Sequence, residues 1–307
     1  MSIALHWIIF VKKSANQEKQ IRENLKIGRT LFHYLTGDFK TAGYKGCRSL
    51  DSNFPLRRLF VNYGAYKFFQ NEHIVFGTQS MGQGLKELPE SICKRARIKS
   101  DILIIYNVPK KISSLQQDMK DAEDIIYTKN DSKIQSGSIA LISDHLEGDL
   151  FIVTEAKNQK IYHHKRPLAN ISSKLSKAYK ANAEVIELQT IAYYLGLPKR
   201  KKVDPLFKPI SYSLYRDDFL HKAEEILEGI KTFEVEYCVN EPLNASYFLK
   251  TSTMRDDQWQ YVTGVRVTIR TEYEKEWQYE IAIRNRYGLN LSHYCSFHAF
   301  LAYNSSS

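Results

Sequence analysis

Residues 137–157 read GSIALISDHLEGDLFIVTEAK, two apolar runs around a short polar break, the second closing on Glu155-Ala156-Lys157. If Glu147-Gly148 makes a two-residue hairpin turn, position 140 faces Glu155 and Ser138 faces Lys157. Directly paired side chains have Cβ atoms about 4.5–5.5 Å apart. That is the separation at which two carboxylates share one divalent cation. Glu155 and Lys157 then lie on one face of the strand, but position 140 holds Ala140 where the pattern calls for an acid.

A hairpin ending in Glu-x-Lys with an acid expected opposite resembles the core of PD-(D/E)xK nucleases, and within them the RecB and lambda-exonuclease-like branch. Gly137-Ser138-Ile139-Ala140 corresponds to that branch's G-x-x-D with Ala in place of Asp. Gln189-Thr-Ile-Ala-Tyr193 resembles its Q-x-x-x-Y motif, on a segment (183–197) whose composition predicts a helix that would present Gln189 and Tyr193 on one face. Other acid-x-Lys strings, such as Asp38-Phe-Lys40 and Asp118-Met-Lys120, do not close a buried-looking strand.

The resemblance implies an α/β fold, a mixed central sheet flanked by helices, with a β-rich C-terminal extension. It implies metal-dependent cleavage of phosphodiester bonds, DNA being favoured over RNA. Such a reaction uses Mg²⁺ or Mn²⁺ to polarise the phosphoryl group and acidify a water. Glu155 and the Ala156 backbone carbonyl would be metal ligands, with His73 a further candidate, since that branch often has a histidine before the acid strand. Lys157 would orient the water or stabilise developing charge, and Gln189 and Tyr193 would position phosphate or lysine. Ala140 makes the chain as written inactive or nearly so. Either it is a naturally inactive member, or Ala140 stands in an otherwise active enzyme, which the retention of Glu155, Lys157, Gln189 and Tyr193 favours. The alternative function is a nuclease-derived module that binds nucleic acid without cutting it.

Outward from the hairpin, Asp101–Val108 has the continuous apolar character of a buried strand. Residues 114–127 and 217–231 have helical spacing, 210–215 reads as a strand, and 17–34 as an amphipathic helix. Val265, Val267 and Ile269 alternate with polar residues, as do Tyr279, Ile281 and Ile283, predicting an antiparallel pair. These readings divide the chain into an N-terminal mixed region (1–100), a nuclease-like core (101–231) and a β-rich domain (232–307). The apolar run Ile3–Val11 is too short to span a bilayer and is read as a buried first strand.

The 307 residues carry 44 Lys and Arg against 34 Asp and Glu, a formal charge of +10 that suits a polyanionic partner. Candidate backbone contacts are Lys165 and Arg166 after the hairpin, Lys174 and Lys177 in a basic stripe, and Arg200 and Lys201 in a basic run. Arg266, Arg270, Arg284 and Arg286 are a further candidate platform on the wet face of the C-terminal pair. Cys47, Cys93, Cys238 and Cys295 lack chelating spacing and read as reduced thiols. No membrane partner is expected, and the location is cytoplasmic or nuclear rather than secreted.

Overall fold

A computed structural model describes residues 2–44, 54–60, 74–79, 88–129, 134–199, 212–219, 223–242, 245–272 and 275–283. In chain order its elements are α1 (Ser2–Thr41), β1 (Leu56–Arg58), β2 (Val75–Gln79), α2 (Glu90–Arg95), β3 (Asp101–Ser114), β4 (Ile126–Tyr127), β5 (Ile139–Ser143) and β6 (Gly148–Ile152). There follow β7 (Glu155–Lys157), β8 (Lys160–Tyr162), β9 (Glu184–Gly196), β10 (Tyr212–Asp217), β11 (Glu224–Val239), β12 (Tyr247–Lys250), β13 (Val262–Thr271) and β14 (Glu276–Ala282).

β9 organises the molecule. Its sequence, EVIELQTIAYYLG, is rich in β-branched and aromatic residues, and every position after Glu184 is buried. A strand covered on both faces shows no polar alternation, which is why the segment imitates a helix in sequence. One edge of β9 pairs along most of its length with β3. The other edge is shared, with β5 on residues 184–188 and β10 on residues 192–196. Around it grows an eleven-stranded sheet, with the order β1-β6-β5-β9-β10-β11-β13-β14 and with β2, β3 and β12 off that path. β4, β8 and β7 make a separate three-stranded sheet.

The expected helix-flanked α/β nuclease core is therefore overturned, because the described residues are dominated by strands. Residues 114–127 end β3, turn and enter β4, and residues 224–231 belong to β11. β11 hides its alternation in a bulge. Its register shifts against both β10 and β13 near Ile230, and Gly229 there takes φ +80°, a conformation open to glycine. Beyond the bulge Phe233, Val235, Tyr237 and Val239 alternate inward. The strand passes residue 231 unbroken, so the boundary expected there falls inside an element. The C-terminal pair forms as expected, with Val265 opposite Ile281 and Val267 opposite Tyr279.

The run read as a first strand is the start of α1, for it leads without Gly or Pro into good helix formers up to Gly28. From about Gly28 onward α1 lies on the sheet, burying Leu31, Leu35 and Phe39 against β3, β11 and β14 in the largest apolar cluster. Gly28 permits the contact, since a Cβ there would sit 2.9 Å from the Trp277 ring. Tyr279 donates its hydroxyl to the Gly28 carbonyl at 2.9 Å. Cys93 is a free thiol, whereas Cys238 is disulfide-bonded, which corrects its reading as reduced. Among the described residues no helix is long and apolar enough to cross a membrane.

Candidate functional site

The β5–β6 hairpin forms, but its register is not the one the nuclease reading needs. Asp144 makes the turn by accepting bonds from the Leu146 and Glu147 amides at 2.8 and 3.2 Å, so Ser143 pairs with Gly148. The loop is thus four residues, and Phe151, not Glu155, lies opposite Ala140. The Ala140 methyl is fully buried in an apolar cluster with Ile142, Phe151, Val153 and Val185. The chain leaves the large sheet at Val153, and Glu155, Ala156 and Lys157 form β7, which turns through Asn158 and Gln159, both at positive φ, into β8. Glu155 and Lys157 are solvent-exposed.

The acid that does face Ala140 is Glu187, its partner on β9. Glu187 is 1% exposed and is approached by Lys111 at 3.3 Å and Lys110 at 3.6 Å, with Asp218 3.8 Å from Lys110. A register shift between Pro109 and Lys111 on β3 accompanies the approach of two consecutive lysines to one carboxylate. Glu187 and Gln189 form a polar interval on one face of β9, between the apolar cluster around Val185 and the one around Ile191, where the sheet passes from β5 to β10.

Gln189 and Tyr193 do share a face, but by the two-residue period of a strand. Tyr193 is fully buried and donates its hydroxyl to Asp38 of α1. Arg216, opposite Tyr193 on β10, grips the same carboxylate with Nε at 2.9 Å and Nη2 at 3.0 Å. Burial, then the Asp38 charge, pushes the Tyr193 pKa well up. Burial opposes the Arg216 charge, but bonding to Asp38 outweighs it and holds that pKa above its usual value. This network fixes α1 to the sheet, and sequence inspection misses it because its members are up to 178 residues apart.

The expected cation contacts divide. Lys165, Arg166 and Lys174 are exposed, Arg166 donating to the Thr154 carbonyl at 3.3 Å. Lys177 is engaged by Asp144 at 2.8 Å and Glu147 at 3.3 Å, and its segment is a loop rather than a helix carrying a basic stripe. Arg266 lies between Glu236 and Glu280 and over the Phe248 ring, and Arg270 pairs with Glu276, so half of the C-terminal platform is neutralised. His73, Arg200, Lys201, Arg284 and Arg286 lie outside the described residues.

One concavity gathers cations over an aromatic floor. Lys94 and Arg95 of α2 with Leu197, Lys199 and Tyr215 line a pocket of about 480 Å³. Tyr215 is buried, stacks on Tyr194 at 5.6 Å with an interplanar angle of 15°, and donates its hydroxyl to the Leu197 carbonyl at 2.6 Å. Lys199 Nζ donates to the Ala223 carbonyl at 2.9 Å and sits 5.6 Å from the Tyr215 ring centre. Nearby, Arg97 lies over Tyr212 at 4.3 Å and donates to the Lys231 carbonyl. Glu225, which accepts from the Lys199 amide at 3.3 Å, and Glu228 are acids near this rim. Burial, helped by the Glu225 charge, pushes the Tyr215 pKa up to about 12, so its phenol stays neutral.

The donor set expected for Mg²⁺ or Mn²⁺ does not fit. A buried methyl, an exposed Glu155 on another sheet and a Gln189 on β9 offer no converging oxygens. Among the described residues no group of three or more His, Cys, Asp or Glu is placed to hold a metal ion. Comparison with protein-family models, with curated proteins and with solved structures finds no match to this chain.

Proposed function

We propose that the protein is a non-cleaving nucleic-acid-binding module. The observation that carries this reading is the pocket at the α2–β9–β10 junction, where Lys94, Arg95 and Lys199 surround Tyr215. Cations clustered at one concavity are the elements that hold the phosphates of a nucleic-acid ligand. The net charge of +10 favours encounter with a polyanion.

The test is fluorescence anisotropy with labelled single-stranded DNA, duplex DNA and RNA across a salt series. Arg95→Glu with Lys199→Glu should weaken binding at least tenfold and flatten the slope of log K against log salt by about two. Unchanged affinity in the double variant, or no binding at low salt by the unaltered chain, would overturn the reading. A parallel arm incubates the chain and its Ala140→Asp variant, checked for folding by circular dichroism, with Mg²⁺ or Mn²⁺. No cleavage is expected. Metal-dependent cutting by the variant, whose new carboxyl would face Glu187, would instead restore the nuclease reading.

A further inference from the structure

Among the described residues, none seats the first part of α1 on the sheet. Residues 2–26 span about 37 Å at 1.5 Å per residue. No residue between Trp7 and Lys26 whose side chain is described is buried. Yet this stretch carries large apolar side chains in the open, Trp7 at 66%, Val11 at 53%, Ile21 at 52% and Leu25 at 42%.

Their spacing is informative. Trp7, Val11, Ser14, Glu18, Ile21 and Leu25 follow one another at alternating steps of four and three, the a/d seam of a heptad. Lys12, Lys19 and Lys26 recur seven residues apart at the outward position following each a residue. An isolated helix drifts about 20° per heptad from such a repeat, so a stripe kept to it is matched to another helix wound against it. The positions flanking the seam hold Ile8, Phe10, Ala15, Gln17, Arg22 and Asn24. Only Arg22 is charged, and Glu18 already binds it at 3.0 Å, so two copies bring no unpaired like charges together at the flanks.

We propose that residues 7–25 of α1 pair antiparallel with the same helix of a second copy of this chain. The seam is self-complementary in that direction. Trp7 meets Leu25 of the partner, Val11 meets Ile21, and the central layer sets Ser14 against Glu18, a polar layer that fixes the register. The antiparallel arrangement also carries the two sheet bodies to opposite ends of the coil.

Sedimentation equilibrium on the full chain at tens of micromolar should give twice the mass of one chain. Val11→Glu with Ile21→Glu should return it to one, while Lys19→Glu, on the outward face, should leave the dimer. Orientation is read by oxidation in a background that keeps the Cys238 disulfide and replaces the other two cysteines by Ser. A Val11→Cys protein mixed with an Ile21→Cys protein should cross-link to each other, and neither should cross-link to itself. A monomer, a dimer indifferent to the double variant, self-cross-linking of Val11→Cys, or a stripe that binds acidic phospholipid vesicles instead of pairing would each overturn the proposal.

Discussion

At the scale of single residues, Asp38 shows how much depends on one carboxylate. It joins α1 to β9 through Tyr193 and to β10 through Arg216. Asp38→Ala leaves a largely buried guanidinium and a buried phenol without their acceptor and should cost about 2–4 kcal/mol, read as a drop in the urea midpoint at unchanged slope. Adding Arg216→Met should recover part of that loss, because the unpaired charge goes with it. His163 makes the opposite use of burial. It is 2% exposed, with its Nε2–H donated to the Asp124 carbonyl at 2.9 Å, and burial holds its pKa below the ordinary 6.5. Because the folded-state pKa is the lower one, the stabilisation it brings is complete above about pH 6.5 and lost as pH falls through the folded value. Thermal melts between pH 7.5 and 5 should fall, and His163→Gln should flatten that decline. In the sequence Tyr193 was legible as a residue of interest, but its partner was not. Nothing local marks Asp38, and Ala140 suggested a missing acid when its methyl fills an apolar layer beside Phe151.

At the scale of elements, legibility follows burial. β13 and β14 have one wet face, so polar alternation showed both the strands and their pairing. β9 has none, and without polar alternation its buried segment read as a helix. β11 was obscured by one glycine bulge, and the β5–β6 register by an aspartate turn two residues longer than expected. The basic pocket was missed for a different reason. Lys94 and Arg95 precede Lys199 by about a hundred residues, and only the pairing of β9 with β10 brings Tyr215 beneath them. β2 offers a test of element packing. A Cβ on Gly77 would stand 2.0 Å from the buried Tyr237 hydroxyl oxygen, so the Tyr237 side chain reaches β2 only because position 77 is bare. Gly77→Ala should cost about 1–3 kcal/mol by overpacking, measured as a lower melting temperature. Tyr237→Phe in the same chain should relieve part of it.

At the scale of the whole molecule, one eleven-stranded sheet joins strands from β1 to β14, with β9 paired to β3, β5 and β10. What composition did convey, a basic chain with enough apolar residues for a substantial core, holds without regard to topology. The topology joins segments far apart in the chain, Tyr279 bonding Gly28 across 251 positions. That contact has a consequence for how the protein is made. α1 is synthesised before the Trp277 and Tyr279 side of its seat, so at about 5–20 residues per second the finished helix waits roughly 10–50 s before that side exists. Throughout that interval Leu31, Leu35 and Phe39 lack their full cover on a nascent chain.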